Sequence, residues 1–226
     1  MIIAPPAIFS ITCHEVAHGW VASRFGDETA RSRGRLTLNP LPHIDPVGTI
    51  IVPVMLAMIH APIIGWAKPV PVNFRNLESP KKHMGYVAAA GPITNLLLAV
   101  CCALGINFMF WIFPGPGASG TGAIYSFLSP LKWMLFVGIQ INVMLAIFNL
   151  LPIPPMDGSK VAISVLPMPY AGWFVRMERY GILPLLVLFM IPATNRMIIG
   201  LTDPIVNLVL RSLIHGAMGG FLGPPS

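Results

Sequence analysis

Charge is scarce in this sequence. Only 10% of its 226 residues are Asp, Glu, Lys or Arg, against about 25% in soluble domains, too few to cover a water-exposed surface. Residues 84–113 and 133–153 contain no charged side chain, and each reaches the ~20 residues that a helix needs to cross a bilayer. A soluble globular class is excluded. Cysteine is equally sparse. Cys13, Cys101 and Cys102 are odd in number, and two are adjacent, which excludes a disulfide framework. The first 23 residues lack Lys and Arg and carry His14, Glu15 and His18, so they have neither the basic start nor the uniform apolar run of a signal peptide. There is no internal repeat, no low-complexity tract and no stretch left over for a soluble accessory domain.

What remains is an all-α membrane protein, a single domain over 1–226 with a core in 1–165 and membrane helices in 166–220. Four spans are expected, within a bundle of four to six transmembrane helices: 4–24, 84–113, a third from Leu131 to 153, and 180–201. Residues 204–218 suggest a last interfacial helix. Residues 47–66 are apolar but have basic flanks and are interrupted by Pro53 and Pro62, which favours a re-entrant hairpin over a crossing. A small β element is expected from the alternation Arg33-Gly-Arg-Leu-Thr-Leu38 and from the extended run 67–74, where prolines disfavour helix.

The net charge of +6 does not indicate nucleic acid. With the N-terminus outside, eleven of the fourteen Lys and Arg side chains fall in cytoplasmic loops, and only Lys132, Arg196 and Arg211 fall outside. That asymmetry is the positive-inside bias. The expected partners are the lipid bilayer and a transmembrane substrate, not nucleic acid; the oligomeric state is left open.

The chemistry is concentrated in His14-Glu15-Val-Ala-His18. Positions four apart share a helical face, so both imidazoles reach one metal ion, while Glu15 lies about 100° round the helix, where it can address a water activated by that metal. Ionisable groups inside an apolar helix cost about 2.5 kcal/mol or more each, and a divalent cation compensates them. A catalytic zinc takes a third protein ligand and keeps one open position. Asp157, in Asn149-Leu-Leu-Pro-Ile-Pro-Pro-Met-Asp157-Gly158, follows a span directly; it either returns to the metal or caps the next helix. Gly158 permits close backbone approach.

Together the two motifs resemble those of the site-2 protease family of intramembrane metalloproteases, over residues 8–165. Gly85-Tyr-Val-Ala-Ala-Ala-Gly91-Pro-Ile-Thr-Asn95 is similar to that family's glycine-containing core helix, and the segments from Gly34 and His43 resemble short bacterial members without PDZ or CBS modules. Met156 stands where leucine is usual. The resemblance implies a bacterial multi-pass membrane enzyme with one Zn2+ per chain, held by His14, His18 and Asp157. Its implied action is cleavage of peptide bonds in transmembrane segments from the cytoplasmic side, with Glu15 as general base and Asn149 assisting the substrate or oxyanion. The rivals are a metal transporter using the same three ligands and an inactive scaffold. His43 and Asp45 are expected to fix a loop, and Asn95, Asn142 and Gln140 to bind helices together.

Overall fold

The computed structural model describes residues 3–58, 66–112 and 122–181, with isolated positions between 183 and 208. The first helix, α1 (Ala4–Arg24), takes Pro5 and Pro6 in its opening turn, where no helical N–H is lost. It stops where Gly26 adopts φ 102°, a backbone that L side chains resist. One helical turn, α2 (Thr29–Ser32), follows.

Asp45 then accepts the N–H groups of Val47 (2.9 Å) and Gly48 (3.0 Å), starting a π-helical stretch, Pro46–Ile51, that continues as α3 (Val52–Met58). Trp66 comes back beside this start. Its N–H donates to the Gly48 carbonyl at 3.1 Å, and its carbonyl accepts the Thr49 hydroxyl at 2.8 Å. A full crossing would part these ends by about 30 Å, so the two ends of the apolar segment lie on one side; residues 59–65 lie outside the described residues.

The long helices are α4 (Pro80–Ile112) and α5 (Gly122–Leu150). Within them Pro80–Met109 and Phe127–Leu150, with mean hydropathy 2.0 and 1.8, are long and apolar enough to cross a membrane. The third span was expected to open at Leu131, yet its helix runs on through Pro130. Proline is tolerated in such helices because neighbouring groups satisfy the freed carbonyl. Two shorter helices, α6 (Asp157–Val165) and α7 (Met168–Glu178), complete the described fold. The expected span 180–201 and helix 204–218 lie outside the described residues apart from single positions. No strand forms among the described residues. Arg33–Leu38 is turn and irregular chain, and 66–73 is irregular chain outside any ladder.

Helix α4 is central and packs on α1, α5 and α6. Its Ala99, Ala103 and Ile106 meet Ile139 and Val143 of α5, at the three- and four-residue spacing that puts side chains on one face. Below α1, Asp27 ties the loops together, accepting from the Thr29 hydroxyl, the Asn73 N–H (2.7 Å) and the Asn76 amide (2.9 Å). Burial pushes its carboxyl up, but these hydrogen bonds outweigh that and hold it below the ordinary carboxylate range. A folded pKa below the unfolded one gives stability that is present above about pH 4 and lost as pH falls towards the lowered value. Asp27→Asn should therefore melt at lower temperature than wild type at pH 7 in detergent, and the gap should narrow below pH 4; a constant gap would remove the carboxylate from this role.

Candidate metal centre

The ends of three elements meet at one point. His14 and His18, both buried, project from one face of α1. Prolines 152, 154 and 155 stop α5 at Leu150, and the chain doubles back so tightly that a Cβ on Gly158 would lie 2.2 Å from the Leu150 carbonyl oxygen. Only glycine allows this return, and it delivers Asp157. Asp157 is the first residue of α6, and its carboxylate turns towards the imidazoles. His14 Nε2 lies 3.2 Å and His18 Nε2 3.1 Å from Asp157 Oδ2, and the two Nε2 atoms are 3.0 Å apart.

Each imidazole is held from behind. His18 Nδ1 is 2.7 Å from the Val87 carbonyl, and a carbonyl only accepts, so Nδ1 carries the proton. His14 Nδ1 is 2.6 Å from Asn95 Oδ1 and likewise donates. Both Nε2 lone pairs therefore face inward, towards a carboxylate oxygen that is buried without a hydrogen-bond partner. Three acceptors turned on one another repel unless positive charge sits among them. Burial opposes the charged form of Asp157, and the Lys160 ammonium, 3.8 Å from Oδ1, favours it.

The spacing suits a metal ion. Tetrahedral ligands at about 2.0–2.1 Å stand about 3.3 Å apart, close to the 3.0–3.2 Å found here. Two imidazole nitrogens and one carboxylate oxygen are a zinc donor set that leaves a coordination position open, and both imidazoles have the outer acceptor that ligating histidines need. Among the described residues no other His, Cys, Asp or Glu group converges in this way. The residues present fit zinc.

Helix α4 makes room for the centre. Val87, Gly91 and Asn95, four apart, form one row beneath α1. A Cβ on Gly91 would lie 2.5 Å from both His14 Cε1 and His18 Nε2. On the other side is a cleft of about 270 Å³, lined by Glu15, Val70, Val72, Asn149 and Lys160 among others. Glu15 Oε2 accepts the Val70 N–H at 2.8 Å. Asn149 lines the same cleft and spends one amide hydrogen on the Leu145 carbonyl at 2.9 Å.

The model of peptidase family M50 matches residues 6–191. The chain belongs to family M50. These are membrane-embedded metallopeptidases, and α4 and α5 supply the apolar helices. The protein of Bacillus subtilis named "Putative zinc metalloprotease YwhC" is 40% identical over 185 residues, which cover 82% of this chain and 78% of that one. Rip2 of Mycolicibacterium smegmatis, named for the same activity, is 31% identical over 84% of this chain and 66% of its own length. The similarly named MJ0611 of Methanocaldococcus jannaschii is 32% identical over 46% of this chain and 49% of its own. No solved structure matches. The site-2 protease resemblance read from the two motifs is thus shown for this M50 chain.

The structure brings His14, His18 and Asp157 together and sets Glu15 and Asn149 in the adjoining cleft. His43 and Asp45 stay in their loop, as expected: His43 Nε2 bonds the Thr37 carbonyl at 3.0 Å, and Asp45 caps the π-helical turn. Sequence reasoning passed over Gly91, Lys160 and the Val87 carbonyl as parts of the site, and gave Asn95 only an interhelical role. The available signal was the four-residue spacing of Gly91 and Asn95 on an apolar helix, where a polar group and a missing side chain on one face mark a close, polar neighbour.

Proposed function

We propose that this M50 chain is an intramembrane zinc endopeptidase that hydrolyses peptide bonds within or next to transmembrane segments of other membrane proteins. The observation that carries this reading is the convergence of His14 Nε2, His18 Nε2 and Asp157 Oδ2 within 3.2 Å of one another, beside a cleft that holds a glutamate. His14, His18 and Asp157 hold the metal, which when bound supplies Lewis acidity and a nucleophilic water at neutral pH. The Val70 N–H anchors Glu15 through Oε2, leaving Oε1 to take the proton of the attacking water and pass it to the departing amine. Asn149 has a second amide hydrogen for the carbonyl oxygen on which charge develops, and Lys160 adds positive charge to the cleft wall. The positive-inside asymmetry of the loops supports a cleft that opens to the cytoplasm.

A helical substrate buries its backbone hydrogen bonds and must unwind to be cut. Pro69, Val70 and Val72 border the cleft, and Pro69 and Pro71 lack N–H groups. Between and after the prolines, Val70 and Val72 have N–H groups; that of Val70 is given to Glu15, which leaves Val72 to hold an unwound segment by β-addition. Val72→Pro should lower cleavage of a helical transmembrane substrate about tenfold, by analogy with losing one aligned contact, with zinc content and detergent stability at wild-type levels. Unchanged cleavage would make the run structural only.

The transporter reading makes the opposite prediction in one preparation. In proteoliposomes carrying a single-span peptide, the zinc-loaded protein should release fragments cut within the apolar stretch and pass no zinc into the lumen. Zinc uptake without fragments would replace the protease by a transporter.

A further inference from the structure

Ser10, Asn95 and Asn142 are all fully buried between apolar helices. Buried amides in such a setting must be paired, and commonly they do no more than bind helices together. Here the direction of every bond is determined. Asn142 sends one amide hydrogen to the Gly138 carbonyl of its own helix (2.8 Å) and one to Ser10 Oγ of α1 (2.8 Å). A carbonyl cannot donate, so the nitrogen side of Asn142 must face Gly138, and its Oδ1 must face α4. There it accepts the Asn95 amide at 2.8 Å. That in turn fixes Asn95, whose nitrogen side also points to the Ser10 carbonyl at 3.5 Å. Asn95 Oδ1 is therefore presented to His14, whose Nδ1 lies 2.6 Å away. Were Asn95 turned over, its amide would face Nδ1 with a donor. The proton would have to leave Nδ1 for Nε2, the atom that faces Asp157.

We propose that Asn142 is a positioning residue for the metal centre: through Asn95 it sets the tautomer of His14, keeping the Nε2 lone pair inward, so that α5 controls metal affinity without touching the metal. The inference rests on the zinc reading above. His18 needs no such relay, because the Val87 carbonyl fixes it directly. The relay makes a distinction that a packing role does not. An aspartate at position 95 accepts on every side and holds the His14 Nδ1–H whatever stands at 142.

The test is zinc affinity by chelator competition on four purified proteins: wild type, Asn142→Leu, Asn95→Asp and the double variant. Asn142→Leu should bind zinc about tenfold more weakly than wild type, the lower end of what losing an outer partner of a ligand costs. In the Asn95→Asp background the same change should cost less than twofold. Asn142→Asp should stay within about threefold of wild type, since it still presents an acceptor to Asn95. If Asn142→Leu does not fold, Asn142→Ala repeats the comparison without added bulk. Equal losses in both backgrounds would reduce Asn142 to packing and overturn the relay, as would unchanged affinity in Asn142→Leu. A wild type that binds no zinc would instead refute the metal centre itself, and the relay with it.

Discussion

Glu15→Gln should retain about one zinc per chain and lose cleavage by a factor of about 10²–10⁴, the usual contribution of a general base. The two halves of that result have separate causes. The three inner ligand atoms belong to His14, His18 and Asp157, so an amide at position 15 removes no ligand. Glutamine also keeps a carbonyl oxygen for the Val70 N–H, now 2.8 Å from Glu15 Oε2, so the side chain stays anchored. What it loses is the capacity to take a proton. His14→Ala, His18→Ala and Asp157→Ala should do the reverse, weakening zinc binding first and losing cleavage as a consequence. Zinc content by mass spectrometry, together with fragment release from a reconstituted single-span substrate, checks both halves. Full cleavage by Glu15→Gln would mean that the proton goes elsewhere.

Gly91→Ala should be as damaging by a different route. Its new Cβ would stand 2.5 Å from His14 Cε1 and His18 Nε2, inside the about 3.5 Å of ordinary carbon contact. The rings cannot simply retreat, because Asn95 and the Val87 carbonyl hold their outer nitrogens at 2.6 and 2.7 Å. They must rotate, and the inner lone pairs then no longer converge. Zinc affinity should fall by more than tenfold, beyond the effect of losing one outer contact, while the protein remains helical. Gly105→Ala on the same helix is the control. There the nearest atom is the flexible Leu135 Cδ1 at 3.3 Å, and zinc binding should match wild type. A Gly91→Ala protein with wild-type affinity would show that α4 does not confine the imidazoles.

The contrast between these residues shows what a sequence exposes. His14, Glu15 and His18 are local: their spacing alone puts them within about one turn of helix. Asp157 was legible as a choice between a cap and a ligand, and what brings it beside the imidazoles is the Gly158 return, a contact between chain segments that spacing does not show. The long apolar runs named α4 and α5, but the start of α5 was missed because proline reads as a break in water and is tolerated among packed membrane helices. The four-residue spacing of Gly91 and Asn95 marks a face but names no partner for it, and Asn142 stands alone. Their meaning lies in which helix faces which, and hydrophobic periodicity is weak in helices that are apolar all round. The strand expected at 67–74 failed for a related reason: two prolines keep the run out of a helix, but a ladder needs a partner, and the side chain of Glu15 takes the Val70 N–H.

X-ray absorption at the zinc edge, on the purified chain and on Asp157→Ala, tests the central claim most directly. The account predicts about one zinc per chain, a shell of nitrogen and oxygen alone at about 2.0–2.1 Å with outer scattering from two imidazoles, and a changed shell in the variant. Substoichiometric zinc, sulfur at about 2.3 Å from Cys13, or a spectrum indifferent to Asp157→Ala would contradict it.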